Sequence, residues 1–303
     1  MEVLLIIKII QLFFIGAFGY LLVKCHILQA DDSKILSKLS VYLLTPCIII
    51  KASQVEFTAE VQLGMLIAFI SAMLIHFIFI LGGKILEKLH FTGIERASII
   101  YTNAGNLVIP LVMALLGDEW VIYASAYMSV QLCFLWTHGA FIISGEKHFN
   151  IQKLLANPNI IAIIFSYIML FFNLKLPNII ATPVGLMGDM LIPLSMIITG
   201  MILADAQLSH VFLKVRVYLV AFLRLLVFPA IILCLLRLIL PYIDYVQAKD
   251  VLIVTFLATA TPSASMVVQL TQLYDKDVQY AGAINIMTTL LCVLTMPILL
   301  YFF

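Results

Sequence analysis

Apolar residues run through this chain in blocks about as long as a bilayer is thick, separated by short polar connections. At about 20 residues per crossing, the pattern predicts ten transmembrane helices, at 2–23, 35–53, 61–82, 95–116, 119–143, 158–174, 179–203, 214–240, 250–272 and 278–302. The fold class that follows is an all-α polytopic membrane protein. Thr45-Pro46 interrupts the second block, and the sixth is short, from Pro158 to Asn173 ahead of Leu176-Pro177. Losing either would change the topology.

Two blocks contain what would be a turn in water. Tyr101-Thr102-Asn103-Ala104-Gly105-Asn106-Leu107-Val108-Ile109-Pro110 lies inside the apolar run 97–116, and Thr259-Ala260-Thr261-Pro262-Ser263-Ala264-Ser265 lies in the corresponding place of the other half. Within a bilayer each freed backbone N–H or C=O costs several kcal/mol unless protein or trapped water satisfies it. Broken helices 4 and 9 therefore mark cavities, and paired interruptions in matching positions point to a transporter's binding site.

The halves also echo each other. Shifted by 157, Asp118–Ala126 matches Asp275–Ala283 at Asp118/Asp275, Val121/Val278, Tyr123/Tyr280, Ala124/Ala281 and Ala126/Ala283. Shifted by 147, Leu44, Pro46 and Ile50 fall on Leu191, Pro193 and Ile197. Five spans per half is an odd number, so the second half is inverted in the membrane, a 5+5 inverted repeat. The expected organisation is a first repeat at 1–143, a short cytoplasmic linker at 144–157 and a second repeat at 158–303.

Charge orients this layout. The odd-numbered connections carry Lys24, Lys34 and Lys38; Lys84, Lys88 and Arg96; Lys147 and Lys153; Lys214 and Arg216; and Lys276, whereas the even ones carry only Lys51, Lys175 and Lys249. Eleven basic residues against three place the odd loops in the cytoplasm and both termini outside. Composition agrees with the membrane reading, at 64% hydrophobic and 11% charged residues, beyond the roughly 45–50% apolar usage of soluble domains. A net charge of +1 supplies no field for nucleic acid. The five cysteines, Cys25, Cys47, Cys133, Cys234 and Cys292, are scattered, with neither a disulfide framework nor metal-ligand spacing. With Glu2 and only Lys8 ahead of a long apolar run, the N-terminus is expected to be a retained first helix.

Asn103-Ala104-Gly105-Asn106-Leu107-Val108-Ile109-Pro110-Leu111, followed by Gly117, resembles the fourth-helix signature of the auxin efflux carrier family, in which an asparagine precedes a proline by seven residues. Pro262, Tyr274-Asp275, Asp277 and Pro297 are similar to its ninth- and tenth-helix pattern. Thr102 stands where plant members have a proline, Val108 where many members have a glycine, and the long cytoplasmic loop of the plant carriers is absent. The chain looks like a bacterial-type member. The resemblance implies a moving transport domain of spans 3–5 and 8–10, a scaffold of spans 1, 2, 6 and 7, a homodimer, and small organic anions as substrates, malonate- or malate-like in bacterial members and auxin in plant ones.

Candidate site residues follow. Asn103 and Asn106, three apart, share a helix face or point into one cavity near a break; their amides suit a carboxylate or, through oxygen, a cation. The alternative is that they bind helices together or satisfy freed backbone. Pro110 and Pro262 remove backbone donors and kink their helices, and half-helix N-termini carry roughly half a positive charge with free N–H groups. Thr259, Thr261, Ser263 and Ser265 add hydroxyls, or are small residues for close packing. Intramembrane charges are Lys8, Asp189 and Arg224, with His76 and His138 titratable near neutral pH. Arg224 either meets the substrate or pairs with an acid, and Asp189 is a proton carrier or that partner. Lys8 can snorkel, and the histidines read as satisfied bundle residues or proton relays.

The expected function is a secondary carrier for small organic anions, working by alternating access in the cell inner or plasma membrane. Substrate binding is expected at Asn103, Asn106, Pro110, Thr261, Pro262, Ser263 and Arg224. Coupling-ion candidates are Asp189, Asn103 and Ser265, for sodium or protons, with uncoupled transport open. No cofactor or metal and no nucleic-acid partner is expected, and no ATP engine is visible. The rival readings are an intramembrane aspartyl hydrolase using Asp189 and a passive channel.

Overall fold

The computed structural model describes residues 2–54, 58–145, 152, 155–156, 158–205 and 215–303. Every regular element among them is helical. The α-helices are α1 (Glu2–Lys24), α2 (Ser33–Leu39), α3 (Thr45–Ala52), α4 (Ala59–Lys88), α5 (Gly93–Ile100), α6 (Ile109–Leu115), α7 (Val121–Phe134) and α8 (Ala140–Ser144). They continue as α9 (Pro158–Phe171), α10 (Asn178–Asp189), α11 (Leu191–Asp205), α12 (Val215–Phe222), α13 (Phe228–Ile239), α14 (Ala248–Ala260), α15 (Ser265–Leu273) and α16 (Val278–Tyr301).

Five helical runs among the described residues are long and apolar enough to cross a membrane: Ala30–Ala52, Ala59–Lys88, Asp118–Ser144, Val215–Tyr242 and Gln279–Tyr301. Shorter apolar helices lie at Phe14–Lys24 and Pro158–Phe171. The block expected at 179–203 is divided between α10 and α11 at Met190, a division the apolar pattern does not mark. Most of the linker at 144–157, the side chain of Lys8, and Lys147, Lys153 and Lys214 lie outside the described residues.

Three interruptions share one cause. The chain widens to a π-turn at Ser40–Leu44, Ala104–Val108 and Leu223–Val227. Each turn is followed two residues later by a proline: Pro46, Pro110 and Pro229. Proline lacks the N–H for the bond to residue i−4, and its ring collides with that carbonyl. In each case residue i−4 lies inside the π-turn, whose wider winding moves the carbonyl aside. Proline thus bends these helices without ending them, and Thr45-Pro46 leaves its span continuous.

The chain packs into two compact units, each drawing on both halves of the sequence. The first comprises Met1–Met65, Gly105–Ser125 and Leu155–Ala206. Here α1 lies against α11, and α3 against α9 and α10. Glycines set the first of these contacts. A Cβ added at Gly200 would overlap the Gly16 carbonyl oxygen, and one at Gly19 would overlap that of Ile197. Apolar side chains gain little by leaving lipid for one another, so helix association in a membrane depends on such close backbone approach.

The second unit comprises Leu66–Ala104, Ala126–Leu154 and Gln207–Phe303. Phe79, Ile99, Ile100, Tyr101, Tyr127, Phe228 and Phe256 are buried in it, and Phe79 meets Phe228 edge to face at 5.1 Å. One end is tied by Glu95, whose side chain is 1% exposed. Its carboxylate accepts hydrogen bonds from the Thr92 backbone N–H at 2.7 Å, from Arg216 Nε at 2.7 Å and from the Tyr280 hydroxyl at 2.6 Å. A capping box at the start of α5 is thereby joined to α12 and α16. Arg216, expected in a connection, lies inside α12.

A branched side chain at Gly200 has no room, since the obstacle is backbone. Gly200→Val is expected to lower stability by about 1–3 kcal/mol, read as a fall in the thermal unfolding midpoint of the purified protein.

Candidate functional site: a crossing of two broken helices

Pro262 accounts for one break. Its ring disfavours helical geometry in the preceding residue, and Thr261 is extended at φ −76°, ψ 164°. The other break comes at Tyr101, also extended at φ −97°, ψ 133°, nine residues before Pro110. Of the stretch Tyr101–Pro110 expected to form the interruption, Tyr101–Asn103 are non-helical and Ala104 to Pro110 are helical. The break lies just ahead of them, at Tyr101–Asn103.

The two extended segments pair. Asn103 N–H donates to Pro262 C=O and Ala264 N–H to Tyr101 C=O, each at 3.0 Å, so Thr102 and Ser263 face each other in an antiparallel bridge. In this type of pair the bonds flank the facing residues, whose own N–H and C=O point outward. Those outward groups are buried and need partners. For Thr102 the partner is Gln131 on α7. Its Oε1 accepts from the Thr102 N–H at 3.2 Å and from the Thr102 hydroxyl, while its Nε2 donates to Thr102 C=O at 2.8 Å. For Ser263 the partners are on α16: the Thr288 hydroxyl accepts from its N–H at 3.2 Å, and Asn285 Nδ2 donates to its C=O at 2.7 Å. Side chains thus take the place of neighbouring strands on both edges.

Arg224, in the π-turn between α12 and α13, serves the helix ends. It is fully buried. Nη1 donates to Ile99 C=O at 3.0 Å, Nη2 to Thr259 C=O at 2.7 Å, and Nε and Nη2 to Thr261 C=O at 3.1 and 2.8 Å. Ile99 is next to last in α5, and Thr259 and Thr261 flank the last residue of α14. One guanidinium therefore caps two helix C-termini. Each carries roughly half a negative charge, so together they offset about one positive charge. The ring of Phe79 lies 5.6 Å from the guanidinium carbon. Among the described residues Arg224 makes no salt bridge, and Asp189 is paired elsewhere.

The other candidate residues are placed as follows. The hydroxyls of Thr259 and Thr261 donate to the carbonyls of Phe256 and Ala258 at 2.7 and 2.9 Å. The Ser263 hydroxyl is buried and among the described residues has no hydrogen-bond partner. Asn103 is half-buried, and among the described residues its carboxamide makes no hydrogen bond. Ser265 opens α15. The side chains of Asn106 and Pro110 lie outside the described set. His138 Nδ1 meets the Tyr101 hydroxyl at 2.9 Å. His76 Nδ1 meets Ala72 C=O at 2.8 Å.

In the first unit, Lys51 Nζ bridges Asp118 at 2.5 Å and Asp189 at 2.7 Å. An aspartyl protease shares a proton between paired carboxylates. Here the space between Asp118 and Asp189 is taken by an ammonium group, which removes the chemical basis for a hydrolase. Gln131, Asn285 and Thr288 were not singled out by the sequence reading. Their signal was there, as amides and a hydroxyl inside apolar helices.

Gln131→Leu keeps the volume but strands the buried N–H and C=O of Thr102. Each unsatisfied group costs about 1–3 kcal/mol. The variant is expected to lose about 2 kcal/mol or more, measured by thermal or denaturant unfolding beside the wild type.

No curated protein matches the sequence. A family model described as "Membrane transport protein" matches residues 4–152 and 146–300, nearly the whole chain. With its apolar helices and a crossing built from two interruptions, this multi-pass integral membrane protein belongs to that family, the auxin efflux carrier and membrane transport family, a family of transporters and not of enzymes.

Proposed function

We propose that the chain is a carrier for small organic anions, mono- or dicarboxylates of the malonate and malate kind, and that it binds them at the helix crossing. The observation that carries this reading is a contrast. The outward backbone groups of Thr102 and Ser263 and the carbonyls facing Arg224 are engaged by protein partners. Among the described residues the Asn103 carboxamide and the Ser263 hydroxyl make no hydrogen bond. A carboxylate accepting from both would also meet the N-terminal ends of the helical segments that resume at Ala104 and Ser265, whose dipoles favour an anion.

In this reading Asn103, Thr261, Pro262 and Ser263 form the binding locus, and Arg224 acts from behind the carbonyls. The transporter has ten spans in a 5+5 inverted repeat, lies in the cell inner or plasma membrane with both termini outside, and works as a homodimer by an elevator-like movement. Two compact units, each drawn from both halves of the sequence, support a division into a transport domain and a scaffold, with Gly105–Ser125 in the unit that holds spans 1, 2, 6 and 7 and not with the rest of spans 4 and 5. Proton coupling through Asp189 is disfavoured by its bond to Lys51.

The test is binding of a panel of mono- and dicarboxylates to purified wild type and Asn103→Ala. Selective binding weakened about tenfold or more in the variant, about 1.4 kcal/mol, is expected. Equal binding in both proteins would remove the crossing as the site. Saturable uptake with counterflow, measured in proteoliposomes, distinguishes a carrier from a channel. For orientation, a cysteine replacing Asp118 in a cysteine-free background is expected to react with an impermeant thiol reagent from outside the cell, and one replacing Lys88 is not.

A further inference from the structure

We propose that the Arg224 guanidinium is a tethered cation occupying the position a coupling sodium ion would take, so that anion binding at the crossing needs no sodium. This rests on the anion-carrier reading above.

In transporters built on broken helices, a coupling ion is held by unwound backbone carbonyls and helix C-terminal ends. Those oxygens exist here, and eight of them around the crossing have a protein donor. The carbonyls of Ile99, Thr259 and Thr261 converge on Arg224. Tyr101 C=O accepts from Ala264 N–H, and Pro262 C=O from Asn103 N–H. Thr102 C=O is taken by Gln131 and Ser263 C=O by Asn285. Even Ala260 C=O has the thiol of Cys292 at 3.6 Å. A sodium ion entering this shell would have to displace an arginine carrying the same charge.

The exchange changes the energetics. A diffusible ion must be recruited in every cycle, whereas a guanidinium stays protonated and covalently attached. Its planar fork satisfies carbonyls from two separate helices at once, so it joins α5 to α14 while cancelling their negative ends. What remains for a ligand is the positive end of each resumed helix. Arg224 is thus a positioning residue that sets the sign of the site without touching the substrate.

Two measurements test this. The first uses wild type alone, comparing its melting midpoint and its affinity for malonate in sodium chloride against choline chloride at equal ionic strength. Neither is expected to change; a sodium-specific rise in midpoint or affinity overturns the proposal. The second compares malonate binding in Arg224→Lys and Arg224→Gln. The lysine variant is expected to stay within about threefold of wild type, and the glutamine variant to bind about tenfold or more weakly, the effect of one unit charge a few ångströms away in protein. Wild-type affinity in Arg224→Gln, or equal loss in both variants, overturns it. If neither variant folds, the sodium comparison decides. If wild type binds neither malonate nor any other carboxylate, the anion-carrier reading fails, and the melting comparison still decides whether sodium sits at the crossing.

Discussion

A backbone N–H or C=O that leaves a helix inside an apolar interior must find a partner in the protein, because the surroundings supply none. At the crossing this requirement is met by the smallest possible piece of sheet, two residues paired by two hydrogen bonds. Such a bridge has two open edges. Closing them takes Gln131 on one side and Asn285 with Thr288 on the other. The two half-helices on the N-terminal side then end in carbonyls that only a multivalent donor can serve together, and Arg224 is that donor. Removing any one partner would strand groups that the others cannot reach.

The same accounting organises charge. Glu95 lies at the N-terminus of α5, where the helix dipole favours an acid, and is answered by Arg216 and Tyr280. Lys51 is answered by two aspartates at the ends of their elements. Among the described residues only Arg224 is a fully buried cation held by neutral oxygens. Its balance comes from helix ends, so its charge is offset without an acid beside it. Electrostatics at the site and stability of the break are therefore one arrangement.

Much of the architecture was legible in the amino-acid order. Apolar blocks separated by polar connections correspond to helices, since burying backbone in lipid leaves few alternatives. Asn103 and Arg224 stood out because an amide beside a break and an arginine at mid-span are costly unless used. Gln131, Asn285 and Thr288 did not, because a single polar residue in an apolar helix has the same signature whether it binds a neighbouring helix or a freed strand. Asp189 was misleading for a related reason. Its position in an apolar run suggested a buried acid, whereas it ends α10 half-exposed beside Lys51, a partner distant in sequence.

The two breaks mark the boundary between what was written locally and what was not. Pro262 favours an end to α14, since its ring disfavours helical geometry at Thr261. Pro110 does no such thing to the earlier segment; a π-turn absorbs it, and helix runs through Asn106 to Leu115. Nothing in Tyr101-Thr102-Asn103 forbids a helix. These residues are extended because the opposite strand, Gln131 and Arg224 together repay the helical bonds they give up. Sequence alone marked the chain as apolar helices and favoured the break at Thr261. Only the tertiary structure decided the break at Tyr101, because hydrogen bonds to residues far along the chain replace local ones only once those residues have been brought together.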